Sequence, residues 1–229
     1  MENKSNSRGS EAAKGSARAR GRSKAASKRK AAHRLADART RMYHELIFES
    51  AEGVFGRKGY EGATMQDIAD EAGVSLKTVY ATYESKQDLY DQIMRERAGG
   101  LVALLGSAVE TAEDPLEQIS RIVEAYVAFV FENEDWLRIH LRARVAWAFR
   151  PSDAGIAVSW AAARDIYSGV LSRGMQSGLF YPGDPEETAV LVQSVMQVQM
   201  ARAVELGRDD PGEVAEAMMV HIRRLLCPR

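Results

Sequence analysis

Residues 64–86 read TMQDIADEAGVSLKTVYATYESK, and how this stretch folds decides how the chain is built. Thr64 stands three residues before Asp67, a capping-box arrangement in which a hydroxyl and a carboxylate each satisfy a free backbone N–H at a helix start. A short helix over 65–72 follows. Gly73 then supplies a position able to adopt positive φ, and Ser75 caps a second helix that reaches Thr82. Ser85, with Asp88 three residues on, starts a third. The first two helices have only about two turns each, too few to be stable alone, so tertiary packing has to hold them. Ile68, Ala69, Val74 and Val79 are the inward residues: small Ala69 permits a close crossing, and β-branched Val79 locks the second helix from beneath.

A small residue, a glycine four positions later and a β-branched residue six after that is the spacing of a helix-turn-helix, whose second helix enters the major groove of DNA. Leu76, Lys77, Thr78, Tyr80 and Ala81 are then the residues a groove would meet. Lys86 falls in the first turn of the third helix, where backbone N–H groups and a cation can hold one phosphate.

Outward from this stretch the sequence is helical throughout, with no sustained period-two alternation. Upstream, Leu46, Ile47, Ala51, Val54 and Phe55 recur at three- and four-residue spacings from about residue 38, and Gly59 stops that helix. Downstream, one device occurs three times: Asp114-Pro-Leu-Glu, Asp184-Pro-Glu-Glu and Asp210-Pro-Gly-Glu. In each, Asp caps free N–H groups, Pro suits the first helical position and Glu favours the positive end of the dipole. Leu116, Ile119, Ile122, Val123, Tyr126, Val127 and Val130 make the buried stripe of the helix after Asp114. Further helices are predicted over 134–149 and 153–176. No linker interrupts residues 86–115, so the helix starting at Lys86 serves both halves of the chain.

Charge is unevenly distributed. Residues 1–41 hold thirteen Lys and Arg against three acids, whereas the whole chain holds 31 basic and 32 acidic residues. A basic arm of net +10 thus precedes a body of net −11, and residues 42–95 alone are at −5. The arm has no large apolar residue before Leu35, so disorder is expected for residues 1–37. Three readings fit it: an electrostatic arm for nucleic acid, a solubilising tail, or a start assigned upstream of Met42. The longest uncharged run, residues 188–201, has fourteen residues and three glutamines, short of the roughly 20 apolar residues a membrane span requires. No secretory signal is expected, and Cys227 is the one cysteine, which excludes an intrachain disulfide and fits a reducing cytoplasm.

The uncharged run predicts a helix buried on most sides, in a core or against a second chain. The helix over 153–176 offers a similar face through Val158, Ala161, Ala162, Asp165, Ile166 and Gly169, and two such helices per chain would make a four-helix dimer interface. An effector pocket is expected around Tyr126, Phe129, His140 and Trp147, with an aromatic core as the plainer alternative. His33, His44, His140 and His221 lie at no metal-ligand spacing, and neither a phosphate-binding glycine loop nor a nucleophile elbow is present. No enzyme activity, metal or other cofactor is expected.

Residues 46–89, LIFESAEGVFGRKGYEGATMQDIADEAGVSLKTVYATYESKQDL, resemble the N-terminal domain of the TetR (tetracycline-repressor) family of bacterial transcription regulators. Phe55, Gly59-Tyr60, Thr64, DIADEAGVS, Thr78, Tyr80 and SKQDL carry the resemblance. It implies an all-α homodimer: a three-helix helix-turn-helix domain over 38–85, and a helical effector-binding and dimerisation domain over 86–229. It also implies a repressor released from a palindromic double-stranded operator by a small molecule, with Thr64, Ser75, Thr78, Tyr80 and Lys86 on DNA, the last two on phosphates. Two positions depart from the family pattern. Lys77 replaces a common glycine and adds a base or phosphate contact, while Thr82 stands where an aromatic residue or histidine is frequent. The alternative is a helical ligand-binding or scaffold protein that does not bind DNA.

Overall fold

The computed structural model describes residues 8–142 and 154–228. All the described elements are α-helices: α1 (Arg8–Gly62), α2 (Met65–Glu71), α3 (Leu76–Thr82), α4 (Lys86–Val109), α5 (Pro115–Glu132), α6 (Glu134–Arg142), α7 (Ala154–Gln176), α8 (Pro185–Glu205) and α9 (Pro211–Leu226). The chain divides into two compact units, Met1–Ile47 and Phe48–Arg229.

The first unit is the leading part of α1. Helix here extends far upstream of residue 38, through a segment for which the sequence suggests no packed structure. Ala, Lys and Arg dominate it and have high helical propensity, and helical backbone bonds are local, so they need no core. Leu35 and Met42 stand exposed on it, which agrees with a helix that buries little.

In the second unit, the local signals operate where the sequence places them. Regular geometry in α1 breaks at Gly59, whose φ of 74° and ψ of 167° lie outside the range open to most side chains. Asp114, Asp184 and Asp210 each accept two backbone N–H bonds at the starts of α5, α8 and α9. The core lies among α4, α5, α7, α8 and α9, with α4 against α5 and α7, α7 against α8, and α9 against α5 and α8. Ile119, Ile122, Val123, Val127 and Val130 of α5 are fully enclosed, as their helical spacing predicts. Gln118 is the buried polar residue of this bundle. Its amide nitrogen donates to the carbonyls of Val109 and Ala112, and its oxygen accepts from Arg173 of α7.

Helix α6 is described to Arg142, and the remainder of the helix predicted to reach residue 149 lies outside the described residues. Along the uncharged helix α8, Ala189, Val192, Met196 and Met200 face the core, while Leu191 and Val198 are 54% and 65% exposed. Absence of charge around a helix does not distinguish a core face from an uncovered one. No helix among the described residues is long and apolar enough to cross a membrane.

Candidate nucleic-acid interface and effector cavity

The helix-turn-helix is built from the caps upward. The Asp67 N–H donates to Thr64 Oγ1 at 3.1 Å, and the Thr64 N–H donates to Asp67 Oδ2 at 3.0 Å, closing the reciprocal box at the start of α2. Lys58 Nζ lies 2.8 Å from Asp67 Oδ1. This bond, together with those from Thr64, holds the Asp67 carboxyl below the usual range. Gly73 takes a φ of 63°, and the Val74 N–H then returns to the Ala69 carbonyl at 3.0 Å. Ser75 Oγ accepts from the Thr78 N–H at 3.1 Å and lies 2.8 Å from Thr78 Oγ1. Ile68, Ala69 and Val79 are completely enclosed, so the crossing of α2 and α3 is held by the residues the spacing singled out.

With Val79 pinned beneath, α3 presents its other side outward. Ser75, Lys77 and Tyr80 are exposed, Tyr80 at 52%, and Leu76 and Thr78 are half-buried. Thr64 is exposed at the α2 start. The hydroxyl of Thr82 turns back onto the Thr78 carbonyl at 2.9 Å, which fits its departure from an aromatic residue. Lys86 differs from the rest: its Nζ donates to the carbonyls of Tyr60 at 2.8 Å and Ala63 at 3.1 Å, and lies 4.3 Å from the Tyr60 ring centre. Tyr60 was not singled out by its chemistry in the sequence, yet Lys86 converges on it.

Helix α1 of this domain also lies close against α6. The Arg142 Nε donates to the Gly56 carbonyl at 2.7 Å. A Cβ on Gly56 would lie 3.0 Å from the Asp135 carbonyl, so α1 and α6 approach at a spacing that a side chain would obstruct.

A cavity of about 40 Å³ lies within the helical bundle. Its walls are Leu101 and Leu105 of α4, Tyr126 of α5, Trp136 of α6, Trp160 and Tyr167 of α7 and Met196 of α8, with Ser159, Gln193 and Gln197 supplying polar groups. Burial pushes the Tyr126 and Tyr167 phenols far above their ordinary range, so both hydroxyls keep their protons. The Tyr167 hydroxyl points to Met196 Sδ at 3.4 Å. Of the four expected pocket residues, Tyr126 lines this cavity. Phe129 and His140 stand behind it, edge-on to Trp136 at 5.6 and 4.5 Å. Trp147 lies outside the described residues. Trp160, Ala163 and Tyr167 were missed, although their three- and four-residue spacing marks one inward face of α7.

A solvent-facing second helix on a buried helix crossing makes a helix-turn-helix, and the helical bundle that follows it holds a small, mostly apolar cavity. Residues 47–93 match the family model described as "Bacterial regulatory proteins, tetR family". The matched segment carries the helix-turn-helix of this chain, α2 and α3. The chain is 32% identical over 95 residues to the transcriptional activator FasR of Mycolicibacterium smegmatis, a match covering 42% of this chain and 43% of the relative. It is 25% identical over 136 residues to the transcriptional repressor KstR2 of Mycobacterium tuberculosis, covering 59% and 68%. Among solved structures, the TetR family regulator PfmR of Thermus thermophilus superposes with a TM-score of 0.66 at 26% identity, over 78% of this chain and 97% of that one. A tetR-family protein of Rhodococcus RHA1 superposes with a TM-score of 0.69 at 23% identity, over 82% and 98%, and supports the fold.

Proposed function

We propose that this protein is a cytoplasmic, homodimeric transcription regulator that reads a palindromic operator through α3 and is released from it by a small apolar effector. The observation that carries the reading is the arrangement of α3. Val79 is completely enclosed, while Ser75, Lys77 and Tyr80 stand in solvent on the opposite side. A rigid helix with a polar, uncovered face is what major-groove reading requires. Thr64, Ser75 and Tyr80 serve as backbone contacts in this scheme, and Leu76, Lys77 and Thr78 face base edges. The relatives include a named activator and a named repressor; repression follows the tetracycline-repressor pattern.

A second copy covers the exposed Val158 of α7 and Leu191 and Val198 of α8, giving the four-helix interface. The effector occupies the cavity beside Tyr126, displacing the side chains that narrow it to its present volume. The basic arm adds phosphate contacts that the acidic 42–95 segment supplies poorly.

A gel shift with the promoter DNA flanking the protein's own gene tests the reading. The wild type is expected to shift it, and Tyr80→Ala, at an exposed position that leaves the fold intact, is expected to weaken the shift. A folded wild-type dimer that shifts no flanking DNA would favour the alternative of a helical ligand-binding protein.

A further inference from the structure

We infer that the cavity selects an uncharged, mainly hydrocarbon molecule carrying an oxygen acceptor of the carbonyl kind, and that the Tyr167 hydroxyl is the donor that recognises it. The inference rests on the reading of this cavity as the effector site. Leu101 and Leu105 of α4 and Ala163 of α7 give it hydrocarbon walls, and among the described residues that line it none is Lys, Arg, His, Asp or Glu. Groups farther back supply no charge either. His140, packed edge-on to Trp136, is kept neutral by burial, which holds its pKa down at about 4. Arg97 of α4 is engaged by Glu52, Arg138 of α6 by Glu134 and Asp135, and Arg173 of α7 by Gln118. A carboxylate or ammonium taken into this space would lose its water without gaining a counter-ion, which strongly disfavours it.

The polar contact on offer is more specific. Tyr167 is 2% exposed, and its hydroxyl donates to Met196 Sδ at 3.4 Å. A thioether sulfur is a weak acceptor, so this bond compensates the buried hydroxyl poorly and a ligand oxygen in its place would compensate it better. Burial and the neighbouring Tyr126 phenol both keep the proton on Tyr167, so the group meets a ligand as a donor. Met196 suits the exchange: its unbranched side chain swings aside at low cost, which frees the hydroxyl and widens the cavity in one movement. Gln193 and Gln197 flank Met196 on α8 and line the same space, so the polar groups gather on the α7 and α8 side, opposite the leucines of α4.

The test uses the full chain without DNA. Binding of linear methyl ketones of graded chain length is followed by isothermal titration and by tryptophan emission, since Trp136 and Trp160 line the cavity. Carboxylates and alkylammonium ions of the same lengths, both charged at neutral pH, are the comparison. The best ketone is expected to bind at least about a hundredfold more tightly than either ion. Tyr167→Phe keeps the ring and removes the donor; it is expected to weaken the ketone about tenfold and to leave a linear alkylbenzene, which has no acceptor oxygen, unchanged. Met196→Leu is close in volume and removes the competing sulfur, so it is expected to tighten the ketone about threefold, a sign that lost packing would not produce. In the double variant that gain is expected to vanish. An ion that binds as tightly as the ketone, a wild type that binds no ketone, or a Tyr167→Phe protein with unchanged ketone affinity would each overturn the inference. A ketone that binds through Tyr167 yet leaves the protein on its operator would defeat the effector reading while upholding the ligand class.

Discussion

Arg97 grips Glu52 through two parallel bonds, Nε to Oε1 at 2.9 Å and Nη2 to Oε2 at 2.6 Å. Glu52 belongs to α1 and is only 5% exposed; Arg97 belongs to α4 and lies 5.4 Å from the Phe48 ring centre. The carboxylate holds the guanidinium pKa above its ordinary value, against the opposing effect of burial. Removing one partner strands the other's charge. Arg97→Met should therefore cost about 3 kcal/mol in urea unfolding, whereas Glu52→Leu with Arg97→Met should recover most of the loss.

Gly174 carries a steric requirement that no side chain meets. A Cβ there would fall 2.1 Å from Phe180 Cδ2, and Phe180 is 2% exposed, with its N–H bonded to the Gly174 carbonyl at 3.0 Å. Gly174→Ala should cost about 2–3 kcal/mol of stability by thermal or chemical unfolding. Adding Phe180→Leu should recover part of that loss by vacating the ring's space.

His140 should make stability fall in acid. Burial holds its pKa down at about 4 from an ordinary 6.5, while the bond from its Nδ1 to the Trp136 carbonyl at 2.8 Å acts in the opposite direction. Between pH 6.5 and 4 the unfolded chain binds the proton that the folded protein refuses. The contribution is thus unchanged above that window, declines as pH falls through it and levels off below. Its full size is about 3 kcal/mol. Unfolding curves across this range for wild type and His140→Gln should diverge in slope, the variant being flatter.

The Thr64–Asp67 box should be worth about 1 kcal/mol, the usual cost of losing a helix cap. Thr64→Ala removes the acceptor for the Asp67 N–H. Hydrogen exchange at the start of α2 should accelerate in this variant, while amides of α5 and α9 keep their protection.

The basic arm is tested by salt. Deleting residues 1–37 should weaken operator binding and flatten log K against log salt by about 0.9 for each phosphate that the arm neutralises in the wild type. An unchanged slope would leave the arm without a role on DNA.

The helix boundaries and the helix-turn-helix were legible because their signals are local. A cap joins residues two or three apart, so Asp114, Asp184 and Asp210 announce α5, α8 and α9 without knowledge of anything distant. Gly59 and Gly73 mark backbone positions by their lack of a side chain, and both take positive φ. The cavity was legible only in part. Its walls come from five helices, and sequence spacing shows which face of a helix turns inward without showing which faces meet; hence Tyr126 was found and Tyr167 was not.

By itself, then, the sequence determined the all-helical architecture, the short capped pair of helices and the outward face of α3, because periodicity and caps act within a few residues. The tertiary structure decided which carbonyls Lys86 meets, how Glu52 and Arg97 pair across 45 residues of chain, and which side of α8 faces away from the core. Those outcomes depend on where helix ends arrive in space. That Lys86 meets the Tyr60 and Ala63 carbonyls depends on where the end of α1 arrives, which no local spacing shows.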